Sequence, residues 1–195
     1  MSVLFSFNLF KIYFSYFIKV VIHSIFLSIL FCVSTQILTT NCFHTNPALV
    51  LLSVHILLLC LFHFLEFLIT AYNQPETVNI DAFLLNKNFE YQMAIVGSLT
   101  EFGIEAYFFP EWKFAFRFVI LLGLFLAIVG DTIRKSAMIT AGHNFHHVIQ
   151  TEPKPNGQLI TSGIYGVFRH PSYVGWFYWT IGNQVYKSSS FSIKL

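Results

Sequence analysis

The sequence predicts an all-α fold, a polytopic membrane helical bundle with about four full spans plus a fifth partial or truncated helix. Composition is the first observation behind this prediction. Of the 195 residues, 55% are hydrophobic and only 10% are charged, and the mean hydropathy is +0.65. A soluble domain carries roughly 25% charged residues because its surface faces water. The second observation is that the apolar residues form runs near the length of about 20 residues that a spanning helix requires.

The first two runs are the most apolar. The first extends from about Ile12 to Leu38, which is too long for the apolar core of a cleaved signal peptide. It is interpreted as a transmembrane helix in which Lys19 reaches toward an interface. The second extends from Pro47 to Tyr72, and its proline suits the first turn of a helix.

Ionisable side chains interrupt the second run at His55, His63 and Glu66. His63 and Glu66 are three residues apart and so share one face of a helix. An ionisable group inside a span usually faces the bundle or a cavity. We favour a packed polar pair between helices, and a substrate or proton path is the alternative.

The third predicted span is weaker than the first two, whereas the fourth includes a continuous apolar run from Phe118 to Val129. The third covers about Phe89 to Phe109 and carries Glu101 and Glu105. These two acids are four residues apart, so they project from one side of the helix, which is predicted to face protein. The fourth covers about Phe114 to Gly130.

The sequence becomes more polar after the fourth span. The segment from Asp131 to Arg169 is predicted to face solvent, and its excess of Lys and Arg favours the cytosolic side. Apolar character returns from about Ser172 to Val185, which is long enough to enter a bilayer and marginal for crossing it. The remainder, YKSSSFSIKL, is a divergent polar tail.

Two classes of partner are not expected. The net charge of +2, without a basic cluster, argues against nucleic acid.

Cys32, Cys42 and Cys60 are unevenly spaced, so they are interpreted as buried small hydrophobic residues. His143 and His147 are four residues apart, yet no Cys or carboxylate ligand lies at suitable spacing. We therefore expect no metal and interpret these histidines as a polar helix face at the membrane surface.

The most informative segment is Leu159 to Trp179, LITSGIYGVFRHPSYVGWFYW. Gly163 and Gly166 allow backbone to approach a ligand closely. Pro171 disfavours helix immediately before it, so Arg169 and His170 are expected on an extended turn. This pattern fits a ligand with a charged head and an apolar body. It fits equally well an interfacial anchor of Arg, Tyr and Trp.

The segment from Arg134 to Gln184 resembles the isoprenylcysteine carboxyl methyltransferase family. The family pattern is roughly L-V-x-x-G-x-Y-x-x-x-R-H-P-x-Y-x-G. It is matched by Leu159, Ile160, Gly163, Tyr165, Arg169, His170, Pro171, Tyr173 and Gly175. A weaker likeness covers Phe83 to Lys113, so the resemblance extends over the last three-fifths of the chain.

The resemblance implies a multi-pass enzyme of the endoplasmic reticulum membrane with its site facing the cytosol. Such enzymes use S-adenosyl-L-methionine to methylate the C-terminal carboxylate of prenylated cysteine in CaaX-processed proteins. The implied partners are C-terminally prenylated proteins and the lipid bilayer. The implied cofactor-binding residues are Gln150, Gly157, Gln158, Leu159, Ile160, Tyr165, His170, Pro171, Ser172 and Tyr173. Three parts follow: a transmembrane region (1–133), a cofactor-binding segment with the start of the next membrane helix (134–187), and the divergent tail (188–195).

The family pattern continues with a membrane hairpin and an R-x-x-x-E-E element. In the family, the Arg of this element pairs with the substrate carboxylate and the first Glu helps to hold the cofactor. This sequence departs from the pattern after Val185, so no catalytic residue is identified in it. We expect the sequence as given to bind cofactor weakly and to be inactive alone.

Three alternatives remain open from the sequence. A membrane sterol reductase that uses NADPH would share a related R-H-P-x-Y-x-G element. A catalytically dead membrane protein could instead modulate an intact paralogue by pairing with it. A histidine-based metal transporter is the most distant alternative.

Overall fold

The helices of the chain form a bundle. A computed structural model describes residues 2–44, 46–76, 78–85, 89–108, 117–147 and 159–187. Residues 2–12 and 42–44 are described by their backbone alone. All regular structure in these ranges is helical, which confirms the predicted fold class. The α-helices are α1 (Ser2–His44), α2 (Pro47–Asn73), α3 (Phe89–Phe108), α4 (Arg117–Ala141) and α5 (Pro171–Lys187). Short 3-10 helices cover Ile80–Phe83, Gly142–Asn144 and Gly163–Gly166.

Helices α1 and α2 are apolar enough to cross a membrane by length and composition. The qualifying segments are Tyr13–Asn41, with a mean hydropathy of 2.2, and Pro47–Asn73, with 2.6. Much of α1 presents large apolar side chains outward, including those of Tyr13, Phe17 and Ile22. Lipid is a suitable surrounding for such a surface, and helices satisfy their own backbone groups within it.

The start of α2 follows directly from its sequence. Pro47 occupies the first turn, and the Asn46 side chain accepts a hydrogen bond from the backbone N–H of Leu49 at 3.3 Å. A helix N-terminus leaves backbone donors unpaired, and this cap satisfies one of them.

The packing of α1 against α2 is centred on Leu27, Cys60 and Phe83, all buried. The ring of Phe83 also stacks on Phe67, with centroids 4.0 Å apart. Cys60 is thus a buried small hydrophobic residue, as expected. Cys32 is exposed on α1, so that expectation is wrong for Cys32, and the Cys42 side chain lies outside the described part of the chain.

Helix α3 turns its acidic side toward the bundle, as predicted. Phe102 and Glu105 are buried, and the Glu101 carboxylate accepts a hydrogen bond from Gln184 Nε2 at 2.8 Å. A carboxylate inside a bundle is retained when polar groups of neighbouring helices pair with it.

Helices α4 and α5 lie in close contact along small residues. Gly130 lies against α5, where a Cβ would fall 2.3 Å from the Trp179 backbone nitrogen, and Gly182 lies against α4, where a Cβ would fall 2.3 Å from the Ala127 nitrogen. Gly123 and Gly175 extend the same row. Small residues that let two backbones approach are typical of helix pairs in membranes.

The prediction that the fourth helix ends near Gly130 is wrong, and the solvent-facing segment predicted from Asp131 onward does not begin there. Helix α4 continues to Ala141, and Arg134, Lys135 and Met138 are buried within it. The charges suggested a surface, but they are paired inside the bundle. The helix therefore also crosses the proposed boundary between residues 133 and 134.

Candidate functional site

The end of α2, the end of α4 and the start of α5 meet at one end of the bundle. The Asn73 side chain donates to the backbone carbonyl of Met138 at 3.2 Å. The Gln74 amide donates to the carbonyl of His143 at 3.3 Å and also to that of Phe145. These bonds join the end of α2 and the residue after it to the end of α4 and the chain that follows α4.

A buried ion cluster lies directly beneath this end. The Glu66 side chain is fully buried, and its two oxygens accept hydrogen bonds from Arg134 Nε at 2.6 Å and Nη2 at 2.9 Å. Lys135 Nζ lies 2.6 Å from the same carboxylate and 3.0 Å from Asp131. Two acids and two bases thus balance in charge, which a buried ionic group requires.

Arg134 connects the ion cluster to α5. Its Nη1 donates a hydrogen bond of 2.9 Å to the Ser172 hydroxyl, while its other edge holds Glu66. Ser172 is the second residue of α5, directly after Pro171. One planar guanidinium therefore ties α2 to the first turn of α5.

The turn before α5 is shaped by glycine and proline. Gly163 has φ +58°, a left-handed conformation that favours glycine, and it packs against Thr140 of α4. Further along, Pro171 begins α5, and the His170 carbonyl accepts hydrogen bonds from the N–H groups of Tyr173 and Val174, each at 3.1 Å. Helix α4 thus supports the approach to the α5 terminus.

The sequence-predicted cofactor residues are only partly gathered together. His170, Pro171, Ser172 and Tyr173 form one turn, and the rings of His170 and Tyr173 pack edge to face at 6.3 Å. Leu159, in contrast, is 90% exposed.

Ile160 and Tyr165 are half-buried, and burial raises the pKa of the Tyr165 phenol. Gln150, Gly157 and Gln158 lie outside the described residues, so their predicted roles stay predictions.

A cavity of about 560 Å³ lies between α2, α3 and α5. Arg134 and Tyr173 stand at the end near the turn, and Phe62 and Trp179 form part of the apolar wall, their rings stacked at 4.1 Å. The lining also includes Leu59, Leu84, Ala94, Ile95 and Trp176. Predominantly apolar walls with a few polar groups are typical of a ligand site.

The far end of the cavity is polar. His55 Nδ1 lies 2.7 Å from the Tyr186 hydroxyl and 3.2 Å from Asn183 Oδ1. Lys187 Nζ lies 3.4 Å from His55 Nε2 and bonds to Ser98. The cavity therefore runs from a charged end to a hydrogen-bonded end with apolar walls between them.

His63 and Glu66 are buried on α2, as the favoured interpretation expected, yet they pair with different elements. His63 Nδ1 donates to the Phe83 carbonyl at 2.8 Å, and its Nε2 lies 3.3 Å from the Tyr91 hydroxyl. Glu66 instead binds the bases of α4.

The predicted helical face of His143 and His147 is wrong because α4 ends at Ala141 and Gly142 has a positive φ. His143 belongs to a 3-10 turn, while His147 Nε2 lies 3.0 Å from the Thr70 hydroxyl. No cluster of three His, Cys, Asp or Glu side chains suited to a metal occurs in the described part of the chain.

Sequence reasoning missed the partners of Glu66. An acid inside an apolar helix requires a cation, and Arg134 and Lys135 are adjacent bases at the end of the next strongly apolar run. That signal was present, but the two bases were assigned to solvent.

Comparisons with known proteins agree with the sequence pattern. Residues 121–193 match the model of the isoprenylcysteine carboxyl methyltransferase (ICMT) family. The chain is 50% identical over 127 residues to the protein-S-isoprenylcysteine O-methyltransferase of Homo sapiens, covering 65% of this chain and 44% of that protein. For the Saccharomyces cerevisiae protein of the same name, identity is 39% over 138 residues, covering 68% and 58%.

A solved structure of the eukaryotic intramembrane Ras methyltransferase ICMT superposes with a TM-score of 0.79 and 36% identity. The match covers 95% of this chain and 67% of that one. The chain spans less than half the length of the human relative it matches.

The fold and the site define a polytopic helical membrane protein with a ligand-sized cavity below one end of its bundle. More particularly, the chain belongs to the isoprenylcysteine carboxyl methyltransferase family. The reductase alternative is accordingly not favoured.

Proposed function

We propose that the chain provides the cofactor-binding turn and the lipid-accommodating cavity of a methyltransferase that acts on the C-terminal carboxylate of prenylated cysteine. The observation that carries this proposal is the cavity of about 560 Å³, whose apolar walls begin beside Tyr173 and Arg134. A prenylated cysteine has the matching chemistry, since an anionic head is joined to an apolar tail. Family membership supports the same reaction class.

The proposed cofactor is S-adenosylmethionine, which supplies an activated methyl group when bound. The turn fits a cationic nucleoside because it presents the ring of Tyr173, which is 59% exposed, beside the His170 ring and the Ser172 hydroxyl. Aromatic faces attract cations. Tyr165, Pro171, Leu159 and Ile160 complete the described part of the proposed site, and Gln150, Gly157 and Gln158 belong to the proposal without structural description.

The reaction requires no general base at the acceptor. A terminal carboxylate has a pKa of about 3.5 and is ionised at neutral pH. The chain's task is to orient the two reactants and exclude water between them. The apolar walls around Phe62 and Trp179 would remove water from the tail, while the polar turn holds the cofactor.

The proposed setting is the endoplasmic reticulum membrane, with the turn facing the cytosol. The exposed Arg169 beside the turn supports that orientation, and C-terminally prenylated proteins are the proposed partners. Residues 134–187 are proposed as the cofactor-binding segment.

The test is a chimaera in which the aligned segment of the human relative is replaced by this chain's residues. We expect methyl transfer from isotope-labelled S-adenosylmethionine to a farnesylcysteine, with the Tyr173→Ala chimaera weaker by about ten-fold. Tyr107→Ala, exposed on α3 away from the cavity, is the matched control. Absence of transfer from a folded chimaera, or NADPH oxidation in its place, would overturn the proposal.

A further inference from the structure

We propose that Arg134 is a positioning residue, which holds Ser172 and thereby fixes the first turn of α5 as a cofactor-binding surface. This inference rests on the proposed function and assigns the buried cluster on α2 and α4 a part in it. The geometric basis is that one guanidinium contacts both the fully buried Glu66 and the Ser172 hydroxyl.

Arg134 is itself held firmly. Two hydrogen bonds to Glu66, from Nε at 2.6 Å and from Nη2 at 2.9 Å, fix the plane of its guanidinium. A planar fork fixed on one edge presents its remaining N–H groups in a set direction. Ser172 lies in that direction at 2.9 Å.

Backbone packing keeps Arg134 close to α5. A Cβ on Gly175 would fall 2.5 Å from the Arg134 nitrogen, so the two helices touch at this position. The distance from Arg134 to the first turn of α5 is therefore set by the helix pair and not by a flexible loop.

The neighbouring base has a different role. Lys135 bonds to Glu66 and Asp131, and its Nζ lies 4.0 Å from the centre of the Phe62 ring. These contacts balance charge and fill space on the α2 side. Of the two adjacent bases, Arg134 is the one that bonds to Ser172 in the described structure.

The first measurement needs no cofactor. Amide hydrogen exchange of the purified chain in lipid nanodiscs reports the bonds that Tyr173 and Val174 donate to the His170 carbonyl. We expect Arg134→Lys and Ser172→Ala each to raise exchange of these amides by about ten-fold, because a charged hydrogen bond is lost. Asp131→Asn, which alters the same cluster without touching Ser172, should leave them unchanged.

The second measurement is a double-mutant cycle on the S-adenosylmethionine affinity of the chimaera that tests the proposed function. Arg134→Lys should weaken binding by about ten-fold in the native background but by less than about two-fold in the Ser172→Ala background. If the role of Arg134 were merely structural, Arg134→Lys would weaken binding equally in both backgrounds.

Each result is decisive. Additive losses of affinity, or exchange that rises uniformly along α4 and α5, would overturn the positioning role. If the unsubstituted chimaera binds no S-adenosylmethionine, the proposed function fails, while the exchange measurement still decides whether Arg134 orders the turn. If Arg134→Lys fails to fold, Ser172→Ala gives the same readout from the other partner.

Discussion

Glu66 shows how a single side chain can hold three helices together. Its carboxylate is fully buried, belongs to α2 and binds two bases of α4, one of which reaches α5. Removing two charges from water is costly, and their attraction offsets that cost only when the geometry is good and the remaining donors are satisfied. Here both carboxylate oxygens are used.

The first prediction concerns this carboxylate. Glu66→Gln keeps the shape of the side chain but leaves Arg134 and Lys135 buried with one acid, Asp131, between them. We expect a loss of about 3–5 kcal/mol in the free energy of unfolding. Reversible unfolding in mixed micelles, followed by circular dichroism, measures it.

Glu76→Gln is the matched control because Glu76 is exposed on the loop after α2. Surface changes of this kind stay within about 0.5 kcal/mol. Equal stability of the two variants would show that the buried cluster does not stabilise the bundle.

At the scale of single elements, the row of small residues between α4 and α5 decides how close the helices lie. A Cβ atom on Gly182 would lie only 2.3 Å from the Ala127 backbone nitrogen. A Cβ atom on Gly97 of α3 would have no neighbouring atom within 4 Å. The same substitution therefore has opposite consequences at these two glycines.

The second prediction uses that contrast. Gly182→Ala should force α4 and α5 apart and cost about 1–3 kcal/mol. Gly97→Ala should be neutral or stabilising by up to about 1 kcal/mol, since alanine favours helix. Thermal unfolding of both variants tests the difference, and a tolerated Gly182→Ala would contradict the close contact.

The sequence predicts the end of a helix where nearby residues determine it, and fails where a distant residue does. The start of α2 at Pro47 follows from local signals, since proline and capping residues act over a few positions. The end of α4 does not, because Asp131 and Arg134 indicate a surface unless their distant partner is known. Pairing over 68 residues of sequence, as between Glu66 and Arg134, carries no local signal.

The candidate site divides in the same way. The turn from His170 to Tyr173 is predictable because Pro171 fixes the local backbone and the motif is contiguous. The cavity is not predictable, since its walls come from α2, α3 and α5 and exist only once these helices pack. Arg134 belongs to both, as it lines the cavity and supports the turn.

At the scale of the whole molecule, the buried ion cluster and the turn before α5 lie at one end of a lipid-suited bundle. Leu159 lies near the turn at that end and is exposed. Pro47 starts α2 at the opposite end, about 40 Å away along a helix of 27 residues. The two positions should face opposite sides of a membrane.

The third prediction follows from that separation. In a cysteine-free background, Leu159→Cys should react with a membrane-impermeant maleimide added to the cytosolic side of sealed microsomes. Pro47→Cys should react only after the membrane is permeabilised. The reverse pattern would contradict the proposed cytosolic turn.

The buried ion cluster also bears on how the chain enters the membrane during synthesis. A segment with Asp131, Arg134 and Lys135 is unfavourable in lipid by itself, each charge at a helix centre costing about 2.5–3.5 kcal/mol during translocon-mediated insertion. Glu66 is made first, on an apolar helix that inserts readily. Helix α4 is therefore expected to enter the lipid only when α2 is already beside it. Glu66 can then neutralise the bases of α4 as they leave the translocon.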